Sequence, residues 1–197
     1  INVVGQKIIG EGASITKIVP SVASPNLVLD FDSTATAELK GLAITGITGD
    51  NIAAVRFSHG QGSEPFDLSL SDLRVSNNSG NGIEINGTGG AALELTVKNS
   101  TLNSNIDGLV INWDYGPTNV TLTGNTIANN SEYGLVASMS GTEATPCKAA
   151  KGPSEFIDRW TVADNHVYGN GSTGMYVQWD ARPDIDLIVQ GNTFSQN

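Results

Sequence analysis

Two stretches of the chain place Trp and Asp side by side in the same frame. "GLVINWDYGP" runs from Gly108 to Pro117, and "GMYVQWDARP" runs from Gly174 to Pro183. The chemistry open to them is carbohydrate recognition. An exposed indole offers an apolar face to a sugar ring, and a neighbouring carboxylate accepts hydroxyl protons. Trp113, Asp114, Tyr115, Trp179, Asp180 and Arg182 are therefore the candidate ligand-binding residues. Asp114 and Asp180 also raise the question of an acid–base pair, since inverting glycosidases hold two carboxyl groups roughly 6.5–9.5 Å apart. Side-chain alternation along a strand sets a competing expectation. It groups Trp113 with Leu109 and Ile111, and Trp179 with Met175 and Val177. If those faces point inward, the indoles plug a core, and Asp114 and Asp180 are the outward members of each frame.

Other reactive types form no pattern. His59 and His166 sit in unrelated frames, and no acidic group converges identifiably on Arg159 or Arg182. No catalytic residue is assigned on this basis, and an enzyme is not the favoured reading. "DFD" at Asp30–Asp32 and "DARPDID" at Asp180–Asp186 alternate acids on one strand face. That suits weak surface Ca²⁺ at most, so neither a dedicated metal site nor a cofactor is expected. Cys147 is the single cysteine, which excludes an intramolecular disulfide, and it reads as an incidental loop thiol. The formal net charge of -10 repels a phosphate backbone, so nucleic acid is not an expected partner. No run of about 18 apolar residues is present to span a membrane as a helix. The six Asn-x-Ser/Thr triplets, beginning at Asn77, Asn86, Asn99, Asn119, Asn129 and Asn170, follow from composition.

The elements that would position these residues are written in a repeat. The 197 residues include 23 Gly and 19 Asn, both tolerant of tight turns and left-handed backbone. Helical 3.6-residue spacing is nearly absent, and short runs of Val, Ile, Leu and Thr alternate with polar residues. An apolar residue followed three positions later by Asn recurs as Val75–Asn78, Leu102–Asn105, Ile127–Asn130, Val167–Asn170 and Phe194–Asn197. The Asn-to-Asn steps are 27, 25, 40 and 27 residues. A second apolar position lies five residues before each first one, at Leu70, Val97, Leu122, Val162 and Val189. Gly-apolar pairs at Gly82, Gly108, Gly134 and Gly174 open the following strands. The long step holds an insertion at about 138–155, rich in Ala, Gly, Pro and Lys, which reads as a surface loop.

A repeat near 25 residues made of short strands predicts a solenoid, one coil per repeat. Successive coils pair as parallel strands about 4.8 Å apart, and stacking buries what no single coil can. The corner residues Asn78, Asn105, Asn130, Asn170 and Asn197 are placed to form an amide ladder along the axis. The leucine-rich repeat has a similar period, but its spacing and its helical half are absent here.

"LTGNTIANNSEYGLVAS" and "VADNHVYGNGSTGMYV" resemble the coils of right-handed parallel β-helix proteins, the pectin-lyase-like superfamily. The resemblance is clear from about Asp67 to Asn197 and fainter before, where "NVVGQKIIGEGASITKIV" and "ELKGLAITGIT" look like early coils. It implies an all-β, right-handed parallel β-helix of about six or seven coils, one domain over residues 1–197, with one long loop insertion. It does not select an activity, because that superfamily holds lyases, hydrolases, epimerases, tailspikes and adhesins.

The functional expectation is a non-catalytic extracellular or cell-surface segment of a bacterial protein, acting as a rigid stalk or adhesin passenger, with possible glycan binding left to its partner surface. Polysaccharide or a host-surface glycan is its expected partner, and a monomer its expected state. The alternative is a lyase or hydrolase of acidic polysaccharides. Asn197 falls on a corner position with no cap in view and nothing resembling a leader opens the sequence, so the chain is expected to be a processed segment of a longer protein.

Overall fold

In the computed structural model, residues 2–3, 7–20, 29–32, 36–48, 53–60, 65–141, 157–180 and 184–197 are described. They form twenty-one strands in three parallel sheets of seven strands each, with no helix among them. The chain visits the sheets in strict rotation, and each new strand pairs with the one laid down a coil earlier. Sheet 1 contains Val55–His59, Ile83–Gly87, Leu109–Asp114, Tyr133–Ser140 and Thr173–Trp179. Sheet 2 contains Phe66–Ser71, Leu93–Lys98, Thr118–Thr123, Ile157–Ala163 and Asp184–Gln190. Sheet 3 is built of shorter strands, from Lys17–Ile18 in the first coil to Thr193–Ser195 in the last. The expected parallel solenoid is the observed architecture.

The two apolar positions of the repeat become columns. Val75, Leu102, Ile127, Val167 and Phe194 stand in register on sheet 3. Leu70, Val97, Leu122, Val162 and Val189 do so on sheet 2. All but the final members, Val189 and Phe194, lie in the buried core, where each coil covers the apolar face of the one before it. Strand burial alternates accordingly, as in Phe66–Ser71 and Leu93–Lys98, whose inward residues are buried and whose outward ones are wholly or partly exposed.

Two amide ladders hold the corners. Between sheets 3 and 1, Asn78 Nδ2 donates to Asn105 Oδ1 at 2.9 Å, and the pattern continues through Asn130 and Asn170 to Asn197. Each of Asn105, Asn130 and Asn170 also accepts or donates to backbone, so these buried amides are satisfied. A second ladder, between sheets 2 and 3, links Asn125, Asn165 and Asn192 at 2.9 Å per link, and the backbone N–H of Ser100 donates to Asn125 Oδ1 at its start. The neighbouring turn residues Asn77, Asn99, Asn129 and Asp164 adopt φ between 50° and 58°, the left-handed region that Asn and Asp tolerate.

The strand of sheet 1 that precedes the insertion runs to Ser140. Residues 138–140 of the expected loop are therefore β structure, and 142–156 lie outside the described residues.

Candidate functional site

The two Trp-Asp frames fall on the same sheet and the same column. His59, Gly87, Trp113, Met139 and Trp179 stack in register on the inner side of sheet 1. Trp113 is 1 % exposed, and its indole N–H donates to the Ala91 carbonyl at 2.9 Å. Its ring fits because Gly87, one coil earlier, has no side chain: a Cβ there would sit 2.2 Å from the indole. The ring lies parallel to those of Phe66 and His59, with centroids 6.1 Å and 5.9 Å away. Trp179 also faces inward, edge-on to Trp160 at 5.8 Å. It is only partly buried because it belongs to the last coil. Neither indole offers an open face on the outer surface, so sugar stacking would have to use other rings. Arg182 lies outside the described residues.

The outward residues of the frames do gather. Asp114, Ser140 and Asp180 follow one another along the outer edge of sheet 1, with Ser140 between the two acids. Ser140 Oγ donates to Asp114 Oδ1. The amide of Gln178 donates to both oxygens of Asp180 at 2.9 Å, and Tyr176 Oη donates to Gln178 Oε1 at 3.0 Å. Tyr176 leans on Tyr133, with ring centroids 6.2 Å apart. Tyr115, held at φ 67° beside Asp114, is exposed too. The result is a surface strip of phenol, amide and carboxylate groups spanning three coils.

Sheet 2 carries a second polar row that the sequence did not single out. Asp67, Glu94, Asn119 and Arg159 occupy one register column on its outer side. Glu94 lies in a shallow depression of about 210 Å³ lined also by Thr96 and Thr121. Partial burial holds its carboxyl above the usual carboxylate range; a hydrogen bond from Asn119 opposes this, the charge of Asp67 adds to it, and Arg159 pulls it down. Sequence inspection missed the row because its members are of four different types. Only the register places them together.

Asp107 is likewise raised, chiefly by burial, although its carboxylate accepts the backbone N–H of Tyr133 at 2.9 Å. Among the described residues, no three His, Cys, Asp or Glu side chains converge to hold a metal. Asp30 stands on the outer side of a sheet 1 strand, in register with Arg56. No helix among the described residues is long and apolar enough to cross a membrane.

No curated protein and no solved structure matches the chain. A family model described as "Right handed beta helix region" matches residues 29–149, more than half of the chain. With three rotating parallel sheets and an unbroken coil register, the chain belongs to the right-handed β-helix family, within the pectin-lyase-like superfamily.

Proposed function

We propose that this β-helix is a non-catalytic extracellular or cell-surface segment, a rigid stalk or adhesin passenger that meets glycans across the outer edge of sheet 1. The observation that carries the reading is the strip running from Asp114 through Ser140 to Gln178, Asp180 and Tyr176. Phenol faces, amides and carboxylates in a flat array suit sugar hydroxyls and ring faces. A scaffold with two amide ladders and one continuous core keeps that array fixed without ordering costs on binding. A glycan-array screen of the chain, with Tyr176→Ala and Asp180→Ala beside it, tests the reading. Binding that both variants weaken by about tenfold or more supports it, in line with the loss of one or two good polar contacts. Wild-type binding left untouched by both would overturn it.

The second reading, a lyase or hydrolase of acidic polysaccharides, draws on Glu94. A carboxyl held above its usual range beside Asp67, with Arg159 two strands away, is the pattern of a proton-transferring group. Release of unsaturated or reducing-end products, abolished by Glu94→Gln, would establish it.

A further inference from the structure

We propose that the outer face of sheet 2 holds a second binding site, built on Asp67 and Glu94, that takes an amine-bearing sugar: a hexosamine unit whose nitrogen is free and protonated. The two carboxylates stand in register on the neighbouring parallel strands Phe66–Ser71 and Leu93–Lys98, about 4.8 Å apart along the axis. Like charges directly opposite each other on a sheet are destabilising. Elsewhere on the fold an outward acid is answered by a cation: Glu38 has Lys7 at 2.9 Å, and Glu84 has Arg56 at 3.8 Å. Among the described residues, no Lys or Arg comes within ion-pair distance of Asp67 or Glu94. Arg159 is separated from Glu94 by Asn119 and has Asp186 in register on its other side. The row therefore leaves two adjacent negative charges unanswered, and it leaves them in a hollow. A cation brought from outside answers both. Each strand that forms the hollow has both of its neighbours in place.

The rest of the hollow selects a sugar as the carrier of that cation. Thr96, Asn119 and Thr121 line it beside the two acids. Asn119 holds the Glu94 carboxyl by a hydrogen bond, which fixes it in place. Ser69, Thr96, Thr121 and Thr161 form a second outward column, two residues further along each strand and so about 6.6 Å from the first. A column of hydroxyls beside a column of carboxylates and amide suits a ring that carries an ammonium on one carbon and hydroxyls on the next. A lysine side chain or an alkyl polyamine would engage the acids and leave the hydroxyl column unmet. The hollow, about 210 Å³, is smaller than the roughly 300 Å³ of the smallest drug-sized pockets, so it seats one residue of a glycan that lies along the face. The formal net charge of -10 draws a polycationic glycan and repels a uronate. The site is separate from the sheet 1 strip, and it stands against an acidic polysaccharide at Glu94.

Isothermal titration calorimetry of the chain with a glucosamine hexamer tests this, with the N-acetylglucosamine hexamer and hexalysine beside it. In mildly acidic buffer the glucosamine hexamer is expected to bind. The N-acetylated hexamer keeps the ring and loses the charge, and should bind about tenfold more weakly or not at all. Asp67→Asn and Glu94→Gln should each weaken the glucosamine hexamer about threefold to fivefold, as expected of a partly exposed ion pair, and added salt should weaken it further. Thr121→Val should weaken the glucosamine hexamer and leave hexalysine unaffected. Tyr176→Ala and Asp180→Ala, which the sheet 1 strip requires, should leave this binding unchanged, so either site can fail without the other. A glucosamine hexamer that does not bind overturns the proposal, and so does an N-acetylated hexamer that binds equally well. Binding that survives both acid substitutions, or that Asp180→Ala weakens as much as Glu94→Gln does, would mean diffuse attraction to an acidic surface and overturns it too. Hexalysine that binds as tightly as the sugar, with Thr121→Val without effect on either, would make the ligand a basic peptide instead and overturn the sugar.

Discussion

Trp113 and Trp179 occupy the same column of the same sheet, yet one is sealed and the other only partly buried. The frame around each is nearly the same, Gly-apolar-x-apolar-x-Trp-Asp. What differs is the neighbour. Trp113 has Gly87 beneath it to receive its ring, Ala91 to accept its N–H, and Met139 above it. Trp179 has Met139 beneath it, Trp160 at its edge and an uncovered hollow in front. In a solenoid, then, sequence fixes the direction a side chain points, and the adjoining coil fixes how deeply it is buried.

The largest effect expected from breaking this contrast is at the tryptophans. Trp113→Ala should destabilise by roughly 3–5 kcal/mol, the range for large-to-small changes in a closed core. Trp179→Ala should cost about 1–2 kcal/mol, because part of its surface is already in water. Chemical denaturation at low protein concentration measures both. Equal costs would mean that the last coil is covered in solution.

The amide ladder gives the next test. Asn130→Ala removes the oxygen that meets two donors of Asn105 and the donors bound by Leu102 and Asn170. Leaving buried donors unmet costs about 1–3 kcal/mol each, so a loss of roughly 2–4 kcal/mol is expected. Asn197→Ala, at the last rung, should cost under about 1 kcal/mol by the same reasoning. Comparable losses at the two positions would contradict a ladder whose strength lies in its buried rungs.

Gly87→Ala sharpens the account of Trp113. Its methyl would overlap the indole, and overpacking of this kind costs about 1–3 kcal/mol. In the background of Trp113→Leu the penalty should largely vanish, which a double-mutant cycle reads directly. A penalty that persists would place the strain in the backbone instead.

The smallest effect is electrostatic. The Glu94 carboxyl is raised in the folded chain, so folding favours its protonated form. Its contribution to stability is fully present below the unfolded-state value and is lost as pH rises through the folded-state value. Glu94→Gln should therefore flatten the decline of stability across that window and leave the chain slightly more stable at neutral pH. An unchanged slope, measured by denaturation at a series of pH values, would show that Glu94 is fully solvated.

Much of this fold was legible because one column residue per coil keeps its type. Val75, Leu102, Ile127, Val167 and Phe194 announce the period, and the corner Asn confirm the phase. The first coils were faint for the same reason: the rung equivalent to Asn78 is Ile47, a buried apolar residue that joins the ladder only by donating its backbone N–H to Asn78 Oδ1. The second ladder escaped notice because its column begins with Leu73 and Ser100 before settling into Asn125, Asn165 and Asn192. Side-chain direction at Asp114 and Asp180 follows from strand alternation alone. The row Asp67, Glu94, Asn119 and Arg159 does not, because outward residues answer to no common packing constraint, and only the residue-to-residue register aligns them.

The amides of both ladders all point the same way. In every link a side-chain oxygen reaches back to donors of the preceding coil, never forward. Assembly consequently has an arrow. In a coil laid down early, the corner amide donates one hydrogen back to a carbonyl of the coil before it, and its other hydrogen and its backbone N–H wait for the oxygen of the next coil, so each arrival completes its predecessor. A chain delivered amino terminus first therefore meets each set of waiting donors with the side-chain oxygen of the coil that follows.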